Sequence, residues 1–335
     1  MNELCLIVVY FGKLNNYFDL WLKSAEANPT VDFLIATDQQ IMSNSKNINI
    51  VNMTLNEFII LAQDKIKTKI KISKAYKICD FKPAFGHIFE DYIRDYDFWG
   101  HCDLDIIWGD IRFFLDFYNY SSYDKFLDRG HLTIYRNIDR INKLYTTIIP
   151  GEFNYKKIFL YQHNFLFDES PLLEKICKKN NVVVFNEPIS IDVDVIYNRF
   201  KHAFPEKSKR NINYENQLFY YEDGHVYQSY ELEDNIYSIE YAYIHLQKRK
   251  KLKKSGNLNN SFYITNKGFF NKDYADVTLD DIKRYNNYPG EDFEFNEYMN
   301  YYRKSRKNRV KNRIEKTLIG GYLIRLYNEI KYRFN

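Results

Sequence analysis

The chain has no closely spaced cysteines. Its four, Cys5, Cys79, Cys102 and Cys177, are scattered and form no CxxC pair. That spacing argues against a zinc site and suits buried thiols in a reducing cytosol. No apolar run reaches the roughly 18 residues that a membrane-crossing helix needs. The opening residues, Met1-Asn2-Glu3 and then Leu4–Phe11, lack a basic leader and a small-residue cleavage site. They are expected to form a first strand and not a signal peptide. There is no internal repeat and no Gly/Ser-rich linker. One glycine, Gly12, stands in Tyr10-Phe11-Gly12-Lys13-Leu14-Asn15, which argues against a Gly-rich phosphate loop after that strand.

Aromatic residues, in contrast, are abundant. They make up 18% of the 335 residues, with 31 Tyr and 26 Phe. AT-rich codon usage accounts for such a bias as simply as sugar-stacking rings do. The net charge of +4 is small, but it is unevenly spread. Lys248–Lys254 and Arg303–Arg333 are strongly basic, and such patches suit anionic partners: membrane lipid, phosphate or nucleic acid.

Leu4–Phe11 is a continuous apolar, β-rich run, as a strand buried on both faces requires. Tyr17–Ala27 has apolar residues at helical spacing, and Asn28-Pro29 closes it. Val31–Thr37 and Ile48–Met53 read as further strands. Strand, helix, strand predicts a Rossmann-like α/β sheet. Helices are predicted over Leu55–Ile66, Pro83–Arg94 and Ile111–Phe117, and strands over Tyr96–Cys102, His131–Tyr135 and Val182–Phe185. Hairpin strands follow at His225–Tyr230 and Ile236–Leu246. Residues 255–300 show no clear period, and Glu297–Asn335 reads as a basic helical tail. A domain boundary is expected near residue 250, with a catalytic domain over 1–250 and an appendage over 251–335.

The sharpest feature is Trp99-Gly100-His101-Cys102-Asp103-Leu104-Asp105-Ile106-Ile107-Trp108-Gly109-Asp110. A β-rich segment delivers two carboxylates, spaced i, i+2, at its end. Such a pair can hold a hard divalent cation, which as a Lewis acid neutralises charge building on a diphosphate leaving group. Asp-x-Asp is common in turns, so its weight comes from the strand before it. Asp192 and Asp194 form a second Asp-x-Asp, a rival metal site ranked lower because it follows no long apolar strand.

This constellation resembles a GT-A glycosyltransferase. In detail it resembles a little-characterised family of such enzymes from bacterial capsule and lipopolysaccharide clusters. The resemblance rests on Tyr10-Phe11-Gly12, Thr37-Asp38, the run Lys77–Gly86, Phe98–Asp110 and Arg129–Asn137. It implies a GT-A fold with a C-terminal helical extension. It also implies a nucleoside-diphosphate sugar as donor and a glycan hydroxyl as acceptor. Asp103, Asp105 and His245 are then expected to hold Mn²⁺ (or Mg²⁺). Val9, Tyr10, Phe11, Thr37 and Asp38 are expected at the nucleoside, since ligands sit at the carboxyl edge of such sheets. Asp80, Lys82 and Lys248 or Lys250 are expected near the diphosphate, Lys82 because it precedes Pro83 at a predicted helix start. Asp103 also counts among the donor-binding residues. Asp168 and Glu169 stand where inverting members carry their base; they equally suit an acidic helix start.

The tail places Leu318, Ile319, Tyr322, Leu323, Leu326, Tyr327 and Ile330 at helical spacing after eight basic residues. A basic amphipathic helix can lie on an anionic membrane surface. This suits a lipid-linked acceptor and predicts a cytoplasmic enzyme, peripheral on the inner face of the membrane. Three alternatives remain: a nucleotidyltransferase on a related fold, a nucleic-acid-binding protein using the basic tail, and a scaffold that keeps the fold without catalysis. The first wants the Gly-rich loop, and the second wants a reader motif that the basic runs lack.

Overall fold

A computed structural model describes residues 3–195, 197, 199–205, 209–249 and 251–286. The predicted helical tail and Lys250 lie outside the described residues. The chain divides into two compact units. The first takes 3–55, 93–137 and 183–286, and the second 56–92 and 138–182.

The first unit opens as its pattern predicts. Strand β1 is Leu4–Tyr10, α1 is Phe18–Glu26, β2 is Asp32–Thr37 and β3 is Ile48–Asn52. β4 (Phe98–Cys102) enters beside β1, and β5 is Ile106–Trp108. β6 (Lys125–Arg129), β7 (Leu132–Arg136) and β8 (Val184–Phe185) complete a seven-stranded sheet, in the order β3-β2-β1-β4-β7-β6-β8. β3, β2, β1 and β4 run parallel, and β7 is antiparallel to β4. The unit is thus mixed α/β with a parallel-rich central sheet. Leu4 to Val8 are all buried, which is why that strand shows no alternation.

Two smaller sheets follow. β9 (Ile191–Asp192) and β13 (Tyr243–His245) join β5 in one. The other is an antiparallel meander of β10 (Gln217–Glu222), β11 (His225–Leu232), β12 (Asn235–Tyr241), β14 (Ser261–Thr265) and β15 (Gly268–Asn271). The single strand predicted over Ile236–Leu246 is therefore two, which break at Ala242 and enter different sheets. The aperiodic stretch after residue 255 supplies β14 and β15, so this sheet crosses the position expected for a domain boundary.

Helix α2 (Leu55–Ile66) leads into the second unit, where α3 is Phe85–Ile88. Here one prediction fails: Pro83–Arg94 is not a helix. A tight three-residue-per-turn helical run covers Ala75–Ala84, and α3 adds one turn before the chain bends away. Ile78, Phe81 and Ala84, spaced by three, are all buried, and that spacing aligns side chains on a 3₁₀ run. In the first unit, α4 (Ile111–Phe117) forms where predicted, with Asp110 accepting from the Phe113 N–H at 3.0 Å. In the second, α5 is Asp139–Asn142, α6 is Tyr155–Leu160 and α7 is Pro171–Lys179; α8 (Leu279–Asn286) returns to the first. Among the described residues no helix is long and apolar enough to cross a membrane.

Candidate metal centre

The Asp103-Leu104-Asp105 turn links β4 to β5, beside the carboxyl ends of β1 and β2. Its backbone is held from below. The Trp21 indole N–H donates to Asp103 O at 3.1 Å, and Asn15 Nδ2 donates to Leu104 O at 2.7 Å. Asn15 Oδ1 in turn accepts the Tyr17 N–H at 3.1 Å. Trp21 and Leu104 are buried, while both aspartates are half-exposed. The apolar residue of the motif is thus inside and the carboxylates point out of the core.

Strand β13 brings His245 to this turn. His245 is paired with Ile106 across the strands, and the Leu246 N–H donates to Asp105 O at 2.7 Å. His245 Nε2 then lies 3.4 Å from Asp105 Oδ1. The ligand atoms of Asp103, Asp105 and His245 all fall within 4.8 Å of one another. Two carboxylates and one imidazole form a donor set that fits Mn²⁺, and fits Mg²⁺ less well because of the nitrogen.

Asp192, the first residue of the rival Asp-x-Asp, is on the other side of the same ring. Parallel pairing of β9 with β13 sets Asp192 against His245. Asp192 Oδ1 is 2.8 Å from His245 Nδ1 and accepts from Gln247 Nε2 at 2.7 Å. A carboxylate behind an imidazole fixes its tautomer and directs the other nitrogen toward a metal. Asp192 is therefore a neighbour of the first motif. This role was hidden in the sequence, because it depends on β9–β13 pairing.

Charge follows from this geometry. Burial pulls the His245 imidazole down, but the Asp105 carboxylate and the Asp192 hydrogen bond outweigh it and raise its pKa to about 10. Burial pushes Asp192 up, yet the His245 hydrogen bond and the charge of His131 hold it well below the usual carboxylate range. Buried Tyr17 is pushed far up, first by desolvation and then by the charge of Asp105. Next to the cluster lies a small cleft lined by Arg129, His131, Ser190, Asp192, Phe204 and Tyr243.

The residues expected at the nucleoside share one sheet edge. Tyr10 is paired with Thr37 and Val9 with Ala36, and Phe11 is buried just beyond. Asp38 Oδ1 accepts the Gly12 N–H at 3.0 Å, and hydrogen bonds from Gln39 and Gly12 lower its pKa. Lys248 is exposed, three residues past His245, with φ of 51°.

Asp80, Lys82, Asp168 and Glu169 belong to the second unit. Asp80 is fully buried, pairs with Lys77, and accepts the N–H groups of Phe165 and Phe167. Its carboxylate faces protein donors, so the chain around Phe165 closes on it. Lys82 Nζ lies 3.3 Å from Asp168 Oδ2, both side chains buried, while Glu169 is exposed. Ser170 caps α7 and Pro171 begins it, so the acidic pair does stand just ahead of a helix.

Residues 6–273 match a family of unknown function, DUF6625. No curated protein matches the chain. Among solved structures, the galactosyltransferase LgtC in complex with donor and acceptor sugar analogues aligns with 56% of this chain and 75% of its own, at 12% identity and a TM-score of 0.35.

Proposed function

The chain belongs to DUF6625, and we propose that it is a metal-dependent glycosyltransferase of GT-A type that uses a nucleoside-diphosphate sugar. The observation that carries this reading is the convergence of Asp103, Asp105 and His245 at the carboxyl edge of a parallel-rich sheet. Ligands of open α/β sheets bind at that edge. The donor set fits Mn²⁺, with Mg²⁺ the second choice. When bound, the ion supplies Lewis-acid stabilisation of the departing nucleoside diphosphate.

The chain's own residues have separate tasks. Asp103 and Asp105 offer oxygen ligands, and Trp21 and Asn15 hold the turn that presents them. Asp192 accepts from His245 Nδ1 and so orients Nε2. Tyr10, Phe11, Thr37 and Asp38 bound the edge where the nucleoside is placed, with Val9 behind them. Lys248 is assigned to the diphosphate. The acceptor is proposed to be a hydroxyl of a capsule or lipopolysaccharide precursor, presented at the cytoplasmic face of a membrane.

Thermal-shift screening of nucleotide sugars with and without Mn²⁺ tests the reading, since a true donor stabilises the fold by mass action. A donor should raise Tm only when Mn²⁺ is present. Asp105→Asn should reduce transfer on the order of a thousandfold, the several kcal/mol that a Lewis acid supplies, while keeping the fold. Full transfer in excess EDTA sinks the proposal.

A further inference from the structure

His245 has a second set of neighbours. His131, Asp192 and His245 also offer ligand atoms that all lie within 4.8 Å of one another. The two imidazole rings are 4.3 Å apart between centroids and tilted by 30°. The Tyr243 hydroxyl meets His131 Nδ1 at 3.1 Å, which sets the orientation of that ring. His131 and Asp192 both line the cleft.

The donor chemistry differs from that at Asp103 and Asp105. Two imidazoles with one carboxylate are a nitrogen-rich set suited to Zn²⁺, whose protein ligands around an open catalytic position are commonly of this type. Around such an ion, ligand atoms are about 3.4 Å apart, the separation of tetrahedral bonds near 2.1 Å. The Asp192–His245 pair, at 2.8 Å, has to open slightly to reach it. The lack of CxxC pairs excludes only a thiolate site.

We propose that His131, Asp192 and His245 form a zinc-preferring site that competes with the Asp103–Asp105–His245 centre for one imidazole ring. This inference rests, for its consequence, on the metal reading above. A neutral imidazole has one lone pair to give. A metal at Nε2 needs the proton on Nδ1, where Asp192 accepts it. A metal at Nδ1 leaves the proton on Nε2, where Asp105 accepts it. Each ion therefore selects the tautomer that excludes the other, and zinc acts as an inhibitor of the manganese centre.

Titration calorimetry of the full, metal-stripped chain with Zn²⁺ alone, Mn²⁺ alone, and Mn²⁺ after Zn²⁺ tests this. His131→Gln should weaken zinc at least about tenfold and leave the Mn²⁺ affinity nearly unchanged, whereas Asp103→Asn should do the reverse. Prior zinc should weaken Mn²⁺ binding by a similar factor. Cobalt(II) gives a second readout that does not depend on heat. Its four-coordinate visible absorption should be present in the natural chain and in Asp103→Asn, and lost in His131→Gln. Zinc binding that survives His131→Gln and disappears in Asp103→Asn overturns the proposal. So does simultaneous binding of both ions without mutual weakening. If Mn²⁺ binds nowhere while zinc binding still depends on His131, the transferase reading fails and the zinc site stands.

Discussion

His245 lies between Asp105 and Asp192, and in the proposed metal site a proton on its ring would compete with the ion. Its folded pKa is raised to about 10, against about 6.5 in an unfolded chain. A raised pKa contributes stability that is fully present below about pH 6.5 and is lost as pH rises through about 10. The metal-free protein should therefore lose Tm steadily across the alkaline side of neutrality. If Mn²⁺ binds at His245 as proposed, it has to displace that proton, and its affinity should rise by up to about tenfold per pH unit over the same window. Calorimetry between about pH 6.5 and about 8.5 measures the slope. Asp192→Asn removes one of the two carboxylates that raise the pKa, and should flatten it. A metal affinity independent of pH would refute the assignment of His245 as a ligand. Asp103 and Asp105 were visible in the sequence because a strand delivers them together. Asp192 was visible only as a competitor, since its contact with His245 is non-local.

Elements were legible where one local signal dominated. β1 is buried on both faces and reads as a continuous apolar run, while α1 and α4 carry helical spacing and clear ends. Prediction failed where tertiary packing decided the outcome. The run Ala75–Ala84 buries residues spaced by three, and Pro83 there looked like a helix start. β10 went unread although Leu218–Tyr221 are apolar or aromatic and buried, because Gln217, whose amide bonds Phe200 O, and Glu222 bound so short a run. The Trp-Gly framing of the motif now has a packing explanation. A Cβ at Gly109 meets Tyr241 O at 2.6 Å and Val226 N at 3.0 Å, both rigid backbone atoms. Gly109→Ala should cost about 1–3 kcal/mol, the usual penalty of overpacking, and should weaken Mn²⁺ binding because β5 aligns His245 through β13. Urea unfolding and metal titration of the variant measure the two effects. Unchanged stability would mean that the backbone contact yields easily.

The whole molecule divides into two compact units. In the second unit, Lys77 and Asp80 form a buried pair to which the N–H groups of Phe165 and Phe167 are added. Asp80→Asn leaves a buried lysine uncompensated and should destabilise by about 3–5 kcal/mol. Calorimetric unfolding reads that loss, and Mn²⁺ binding measured below the transition should persist. Loss of metal binding with normal stability would instead favour Asp80 at the donor. The largest charge asymmetry is outside the described residues. Arg303, Lys304, Arg306, Lys307, Arg309, Lys311, Arg313 and Lys316 follow one another with a single acidic residue, Glu315, among them. Each contributes on the order of 1 kcal/mol near an anionic bilayer, and the attraction shortens as salt rises. The full chain should sediment with anionic vesicles at low salt and be released at high salt. Deleting residues after Tyr302 should abolish that binding. It should leave transfer to a short soluble acceptor unchanged, because every proposed ligand and donor contact precedes residue 250. A tail needed for the fold predicts a different pair of results: lower Tm and lost soluble activity, with vesicle binding no guide. A truncated protein that still sediments with anionic vesicles removes the tail from the membrane proposal altogether.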